Sequence, residues 1–333
     1  MEFAGGGRLE VRITAADVGK RVSVRYVTDS GVAGGRFTDA VGVLTSWESG
    51  VLLITRRNGE GVRIAESALV AGKVVPAAPA RRRGPSATFP ELARATARAW
   101  QPVESERLGE WTLRASAGFT RRANSVLPLG DPGLPLDAAL DRVREWYAAR
   151  ELPAYVQTAT GAEGAQELLG AELERRAWRR EVSAEVRIAA LAPIGDIDAD
   201  VSAVRLARSF DEDWLRRYQR FGTPGPEVLK VLGSGPSVWF ASVPGTEDIP
   251  AAIGRCVVDG RWAGFMAVEV APAERRRGLA TTVMTALARR ALDEGASAAW
   301  LQVETDNDGA RALYEGMGFA VHHHYHHYRW TGA

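Results

Sequence analysis

Residues 275–281, Arg-Arg-Arg-Gly-Leu-Ala-Thr, set three cations beside a glycine at the point where an apolar, periodic run begins. A helix start presents unpaired N–H groups and a partial positive charge, and Gly278 with Ala280 keeps side chains clear of whatever approaches that backbone. Such a place binds phosphate, and Arg275, Arg276 and Arg277 beside it suit a pyrophosphate better than a single carboxylate. Two familiar nucleotide loops are excluded by the residues themselves. There is no Gly-Lys-Ser/Thr, and no G-x-G-x-x-G follows a first strand.

The flanking elements must hold that loop in place. Before it, Gly264–Val270 (GFMAVEV) is an apolar run that stops at Pro272 and reads as a strand. After it, Leu279, Val283, Met284, Leu287 and Leu292 recur at about three- to four-residue spacing, which predicts a helix over Gly278–Glu294 with one face in the core. A second apolar strand follows at Ala298–Val303 (AAWLQV), then Asn307, Ala310, Leu313, Tyr314, Gly318 and Phe319 within NDGARALYEGMGF.

The succession V-A-P-x-x-R-x-x-G-x-A and then L-x-V-x-x-x-N-x-x-A-x-x-L-Y-x-x-x-G-F resembles the two signature motifs of the GCN5-related N-acetyltransferases. The resemblance is specific over 264–319 and weaker over the rest of 196–333. It implies an α/β (α+β) fold, acetyl-CoA as cosubstrate without a metal, and direct attack by a primary amine in a ternary complex. Carried over, it puts the pantetheine arm along the backbone of Val268, Glu269 and Val270. The pyrophosphate falls on Arg276, Arg277, Gly278, Leu279, Ala280 and Thr281, with Arg275 beside them. Asn307 would hydrogen-bond the arm, and Tyr314 would protonate the departing thiolate. The alternative for Tyr314 is an ordinary core aromatic at helical spacing from Ala310 and Leu313.

One position departs from the family's pattern. Relatives that acetylate protein N-termini often carry a glutamate base as the second residue of the L-x-V; here it is Gln302, which takes no proton at neutral pH. Gly264 and Met266 occupy the usual alternative places. Glu304, two residues on and so on the same strand face, is the candidate base, directly or through water, and an idle exposed carboxylate is its plain alternative. The acceptor is a protein lysine or N-terminus by resemblance, with a small-molecule amine open. A non-catalytic acetyl-CoA sensor or scaffold is the competing reading, favoured by Gln302 and opposed by Tyr314 and Asn307.

The chain has 333 residues, 46% hydrophobic and 25% charged, with a net charge of +1, which fits two or three globular domains and excludes a globally basic nucleic-acid binder. A single cysteine, Cys256, excludes an internal disulfide framework. No segment approaches about 18 consecutive apolar residues, and the first residues lack a secretion h-region, so a cytoplasmic protein away from membranes is expected. Four segments follow from the patterning: a small antiparallel barrel over 1–76, a linker over 77–89, a mixed region over 90–195 and a catalytic domain over 196–333.

The first unit has short alternating runs, with Asn58-Gly59 as a hairpin signal, and resembles an SH3-like barrel of the kind fused ahead of acetyltransferase domains in bacterial histone-acetyltransferase-like proteins. Arg21, Arg25, Arg56, Arg57 and Arg63 could serve a partner or merely face solvent; Arg81, Arg82 and Arg83 of the linker fall short of a binding patch. The middle region reads as a helix at 90–100, strands around 109–116 and 124–130, helices at 137–150 and 163–175, and strands at 154–158 and 181–189. It resembles a degenerate acetyltransferase half, because Asp131, Pro132, Gly133 and Pro135 stand where a phosphate loop belongs. Its Arg121, Arg122, Asn124 and Ser125 could line an acceptor pocket or cap their own turn. Trp239, Phe240 and Trp262 are further cleft candidates, with core packing as their alternative use. All five histidines fall in His322–His327 on an expected strand, without the Cys, Asp or Glu that a zinc site would add.

Overall fold

A computed structural model describes residues 10–28, 36–76, 84–218, 224–245 and 249–332. Arg81, Arg82 and Arg83 lie outside them.

The first unit is an antiparallel sheet of β1 (Arg21–Thr28), β2 (Arg36–Glu48), β3 (Val51–Thr55), β4 (Gly61–Ala65) and β5 (Leu69–Val74), in the order β4-β3-β2-β1-β5. Period-two alternation buries Val22, Val24, Leu44, Leu52, Ile54 and Ile64 on one face. The expected turn is present, with Gly59 at φ 82° between β3 and β4. Among the described residues no ladder joins β4 to β5, so the expected closed barrel is an open five-stranded sheet. Its basic residues are largely spent internally: Arg25 pairs with Asp39 at 2.8 Å, Arg56 lies 3.4 Å from Glu60, and Arg21 donates to the Pro76 carbonyl. Arg57 instead ties the unit to the rest of the chain, donating to the carbonyls of Val321 and His322 at 2.7 and 3.0 Å.

Beyond the linker come α1 (Phe89–Arg98), β6 (Glu104–Leu108), β7 (Trp111–Ala115), β8 (Leu127–Pro128), α2 (Leu136–Ala148), β9 (Tyr155–Thr160), α3 (Glu167–Arg175) and β10 (Trp178–Ala190). Then follow α4 (Ala192–Gly195), β11 (Arg205–Ala207), α5 (Glu212–Arg217), α6 (Pro226–Gly233), β12 (Ser237–Val243), β13 (Ala252–Asp259), β14 (Trp262–Val270), α7 (Leu279–Asp293), β15 (Ala298–Glu304), α8 (Asp308–Gly316) and β16 (Ala320–Trp330). The strand expected over 124–130 shrinks to two residues, since Pro128 has no N–H to extend a ladder. The helix expected from Glu163 begins only at Glu167, after a turn in which Gly164 takes φ 73°.

One eight-stranded sheet, β11-β12-β13-β14-β15-β10-β16-β9, carries both the middle and the C-terminal parts. β10 sits between β15 and β16, with Ala184 opposite Glu304 on one side and Tyr325 on the other. α7 covers one face, burying Val283, Met284, Leu287, Ala288 and Ala291 against Cys256, Phe265 and Leu301. The opposite face holds Trp100, Trp214, Trp262, Trp300 and Tyr325 with α1, α5 and α6. The first turn of α7 is thereby anchored to β13 and β14, which fixes where its exposed N–H groups point.

Candidate active site

β14 and β15 run parallel and paired only from Trp262 to Phe265 and from Ala298 to Leu301. Beyond that point β14 stays with β13 and β15 stays with β10, so the two diverge. A bulge sharpens the divergence: Arg255 faces Met266 while Ile253 faces Glu269, and Ala267 is held at φ 51°, a strained value for a residue with a Cβ. The β14 edge facing the gap therefore carries Val268 and Val270 with no ladder partner on that side.

At one end of this opening stands the start of α7. Gly278 is its N-cap at φ 80° and makes no side-chain cap, and the first helical bond runs from the Thr282 N–H to the Gly278 carbonyl at 3.0 Å. The N–H groups of Leu279, Ala280 and Thr281 are left without intrahelical acceptors. Arg276 at φ 64° and Gly278 alternate in handedness with Arg277, the backbone pattern of an anion nest. A Cβ built on Gly278 would meet nothing within 4 Å, so the loop faces open space. Arg277 pairs with Glu274, while Arg275 and Arg276 are exposed.

At the other end, a cavity of about 140 Å³ brings together Val268, Glu269, Gln302, Glu304, Asn307 and Tyr314. Tyr314 is half-buried, its ring edge-on to Phe319 with centroids 6.0 Å apart. Asn307 caps α8, its side-chain oxygen accepting the Ala310 N–H at 3.1 Å, which leaves its amide NH₂ for another group. Glu304 is exposed at the mouth, its own carbonyl accepting the Asn307 N–H. Gln302 is not idle: its side-chain oxygen accepts a hydrogen bond from Arg122, whose guanidinium lies 5.0 Å from the centre of the Trp100 ring.

Of the loop expected to line an acceptor pocket, Arg122 alone reaches the cavity. Asn124 is buried and spends its side chain on the backbone of Ser116, Gly118, Phe119 and Thr120, and Ser125 is held by Arg114. Arg121 turns to Glu181, 3.7 Å away. Nor do the expected aromatics line it: Trp239 and Trp262 donate to Glu294 and Glu91 at 2.6 and 3.1 Å, and Phe240 is core. Their place is taken by Trp100, Tyr218 and Tyr325, with Met266. Nothing local in the sequence marks them: Tyr325 lies within the histidine run, on a strand buried at every position from His323 to Tyr328.

The histidines line no open site. His326 is buried between Thr160 and Ser183, 3.0 and 2.8 Å from its two ring nitrogens, and burial pushes its pKa down to about 3. Burial likewise holds His322, His323, His324 and His327 below the usual range, hence neutral. Among the described residues no three His, Cys, Asp or Glu side chains converge on a metal-ion position, and no helix is long and apolar enough to cross a membrane.

Residues 87–328 match the sequence model of the C-terminal part of probable histone acetyltransferase Rv0428c, and residues 16–73 match that of the Rv0428c N-terminal Sm-like domain. The chain belongs to this acetyltransferase family. Its first unit is thus Sm-like rather than SH3-like. The probable histone acetyltransferase Rv0428c of Mycobacterium tuberculosis is 29% identical over 311 residues, 92% of this chain and 93% of that one. A GCN5-related N-acetyltransferase from Kribbella flavida shares the fold at a TM-score of 0.54 and 16% identity, over 73% of this chain and 95% of its own. A tandem GNAT protein from the clavulanic acid biosynthesis pathway does so at 0.52 and 14% identity, over 75% and 91%. The protein is an N-acetyltransferase of the GCN5-related type, and its family fold accounts for the diverging strands and the bare helix start.

Proposed function

We propose that the protein transfers the acetyl group of acetyl-CoA to a primary amine by direct attack within a ternary complex. The observation carrying this reading is the opening between β14 and β15, which joins a bare helix start at Gly278–Thr281 to a cavity holding Tyr314 and Gln302. Acetyl-CoA, when bound, supplies the acyl group already activated as a thioester. The N–H groups of Leu279, Ala280 and Thr281 take its pyrophosphate, with Arg275, Arg276 and Arg277 adding charge. The edge of β14 from Val268 through Glu269 to Val270 takes the amide-bearing arm, and the Asn307 NH₂ adds a donor.

Positioning of a neutral amine against the acyl carbon contributes most of the rate. A C–N bond forms and the C–S bond breaks; Tyr314 gives its hydroxyl proton to the departing sulfur and regains one released from the attacking nitrogen. Glu304, exposed at the mouth, would take through water the extra proton of an amine that arrives as its ammonium, leaving the neutral form that attacks. In this reading residues 196–333 carry the catalytic machinery, 90–195 form a degenerate half without cofactor, 77–89 link, and 1–76 serve as a docking unit. The name of the M. tuberculosis relative makes a protein lysine one acceptor to test and a small amine the other. The deciding experiment is thiol release from acetyl-CoA with a panel of both: amine-dependent release supports the reading, and none with any amine overturns it.

A further inference from the structure

Two arginines flank Trp100: Arg122, which lines the acceptor cavity, and the fully buried Arg255; a third, Arg114, is buried within electrostatic reach of Arg122. Arg122 stacks at 5.0 Å on the Trp100 ring and donates to Gln302; Arg255 lies 5.1 Å from the same ring. Arg255 is fully buried and hydrogen-bonds the carbonyls of Leu232, Ala99 and Ser234. Arg114 is buried too, held by the carbonyl and hydroxyl of Ser125 and by Gln157. Among the described residues none of the three has a carboxylate within ion-pair distance, although buried charges are ordinarily paired. Burial lowers Arg255 to about 9 and Arg114 to about 10, and both also sense Arg122 as a like charge.

This positive wall has no use for the cofactor if the preceding assignment is right, since the anionic pyrophosphate then lies at the start of α7 and the thioester end is neutral. A simple alkylammonium would be repelled by it. We infer that the acceptor is a small zwitterionic amine, an amino-acid-like molecule whose carboxylate docks on Arg122 and whose amino nitrogen reaches the β14–β15 opening. The inference rests on the acetyltransferase reading and adds the substrate class. Arg122 is the half-buried, cavity-lining member of the three, and a guanidinium matches a carboxylate with paired N–H groups. Glu269 and Glu304 line the same cavity as Arg122, so it offers a charge partner for each end of a zwitterion. Its aromatic walls, Trp100, Tyr218 and Tyr325, suit the compact body of a single amino-acid-sized molecule.

The test compares free amino acids with their carboxamides and decarboxylated amines as acceptors in thiol release, for the full chain and for Arg122→Gln and Arg122→Lys. The parent should prefer the carboxylates by about tenfold or more in kcat/KM, because a site built to pair a polar group rejects the analogue lacking it. Arg122→Gln should reduce that ratio to about one through KM, and Arg122→Lys should keep part of it, with acetyl-CoA binding by calorimetry reporting that each variant is folded. Equal use of amides and acids by the parent, or turnover only with peptide lysines, overturns the inference while leaving the acetyltransferase reading intact. Acetyl-CoA binding without thiol release from any amine overturns both.

Discussion

Tyr314 and Gly278 sit at opposite ends of one opening, and a single substitution tests the role proposed for each. Tyr314→Phe keeps the ring packed on Phe319 and removes only the hydroxyl. If that hydroxyl protonates the leaving sulfur, kcat should drop by about 10²-fold with acetyl-CoA affinity within about twofold of the parent, as measured by steady-state kinetics and calorimetry. An unchanged kcat with chemistry rate-limiting would return Tyr314 to packing. Gly278→Glu forces a Cβ into φ 80° and sends a carboxylate into the open space of the loop, so acetyl-CoA binding should weaken at least about tenfold. Parent-like affinity would remove the pyrophosphate from that loop. These residues were legible because their neighbours in sequence are their neighbours in space. Arg122 on Gln302 was not, since the pair joins segments 180 residues apart, and neither residue bears a local mark of the other.

Strands and helices were legible wherever one face alone is apolar, as in α7 or in β12 to β14. The order of strands was not: nothing in Trp178–Ala190 announces that it pairs with both Ala298–Glu304 and Ala320–Trp330, because a strand buried on both edges reads the same beside any partner. That shared position explains β16, the strand that holds every histidine. All five are depressed by burial, so the unfolded chain binds more protons than the folded one once pH drops below the ordinary histidine value. Their stabilising contribution is full above about pH 6.5 and is lost as pH falls toward the folded values, about 3 for His326. With all five titrating in one direction, unfolding free energy from urea melts should fall steeply between about pH 7 and about pH 5, before most carboxylates respond. His326→Gln should flatten part of that slope. A pH-independent stability across the window would mean that the histidines are hydrated and free to protonate.

At the scale of the molecule, the two halves are arranged alike around the centre of the shared sheet. β9 and β15 lie on the outer sides of the β16-β10 pair, so each terminal strand serves both halves. α2 follows β8 as α7 follows β14, α3 follows β9 as α8 follows β15, and Val126 even keeps a parallel bridge to Val156. The Sm-like unit is fastened to this sheet by Arg57, and by Arg180 donating to the Gly59 carbonyl at 2.6 Å. The symmetry stops at the chemistry. Pro135 stands at the start of α2 where Gly278 starts α7, and Glu110 and Asp131 replace the arginines. Gln166, before α3, reaches across to the Pro128 carbonyl and bridges the strands that would have to part. Leu173, in the core, occupies the place along α3 that Tyr314 holds along α8. A cavity of about 620 Å³ survives there, larger than the one beside Tyr314, yet it is lined by Phe89, Trp111, Pro128 and Leu129, and its Glu110 and Asp131 outnumber its one cation, Arg94, a balance that disfavours a pyrophosphate. Calorimetric titration should therefore give one acetyl-CoA per chain, and Gly278→Glu should abolish that single event rather than halve the stoichiometry. Two equivalents in the parent, with one surviving in the variant, would show that the middle half still binds cofactor and that its acidic turn opens to admit it.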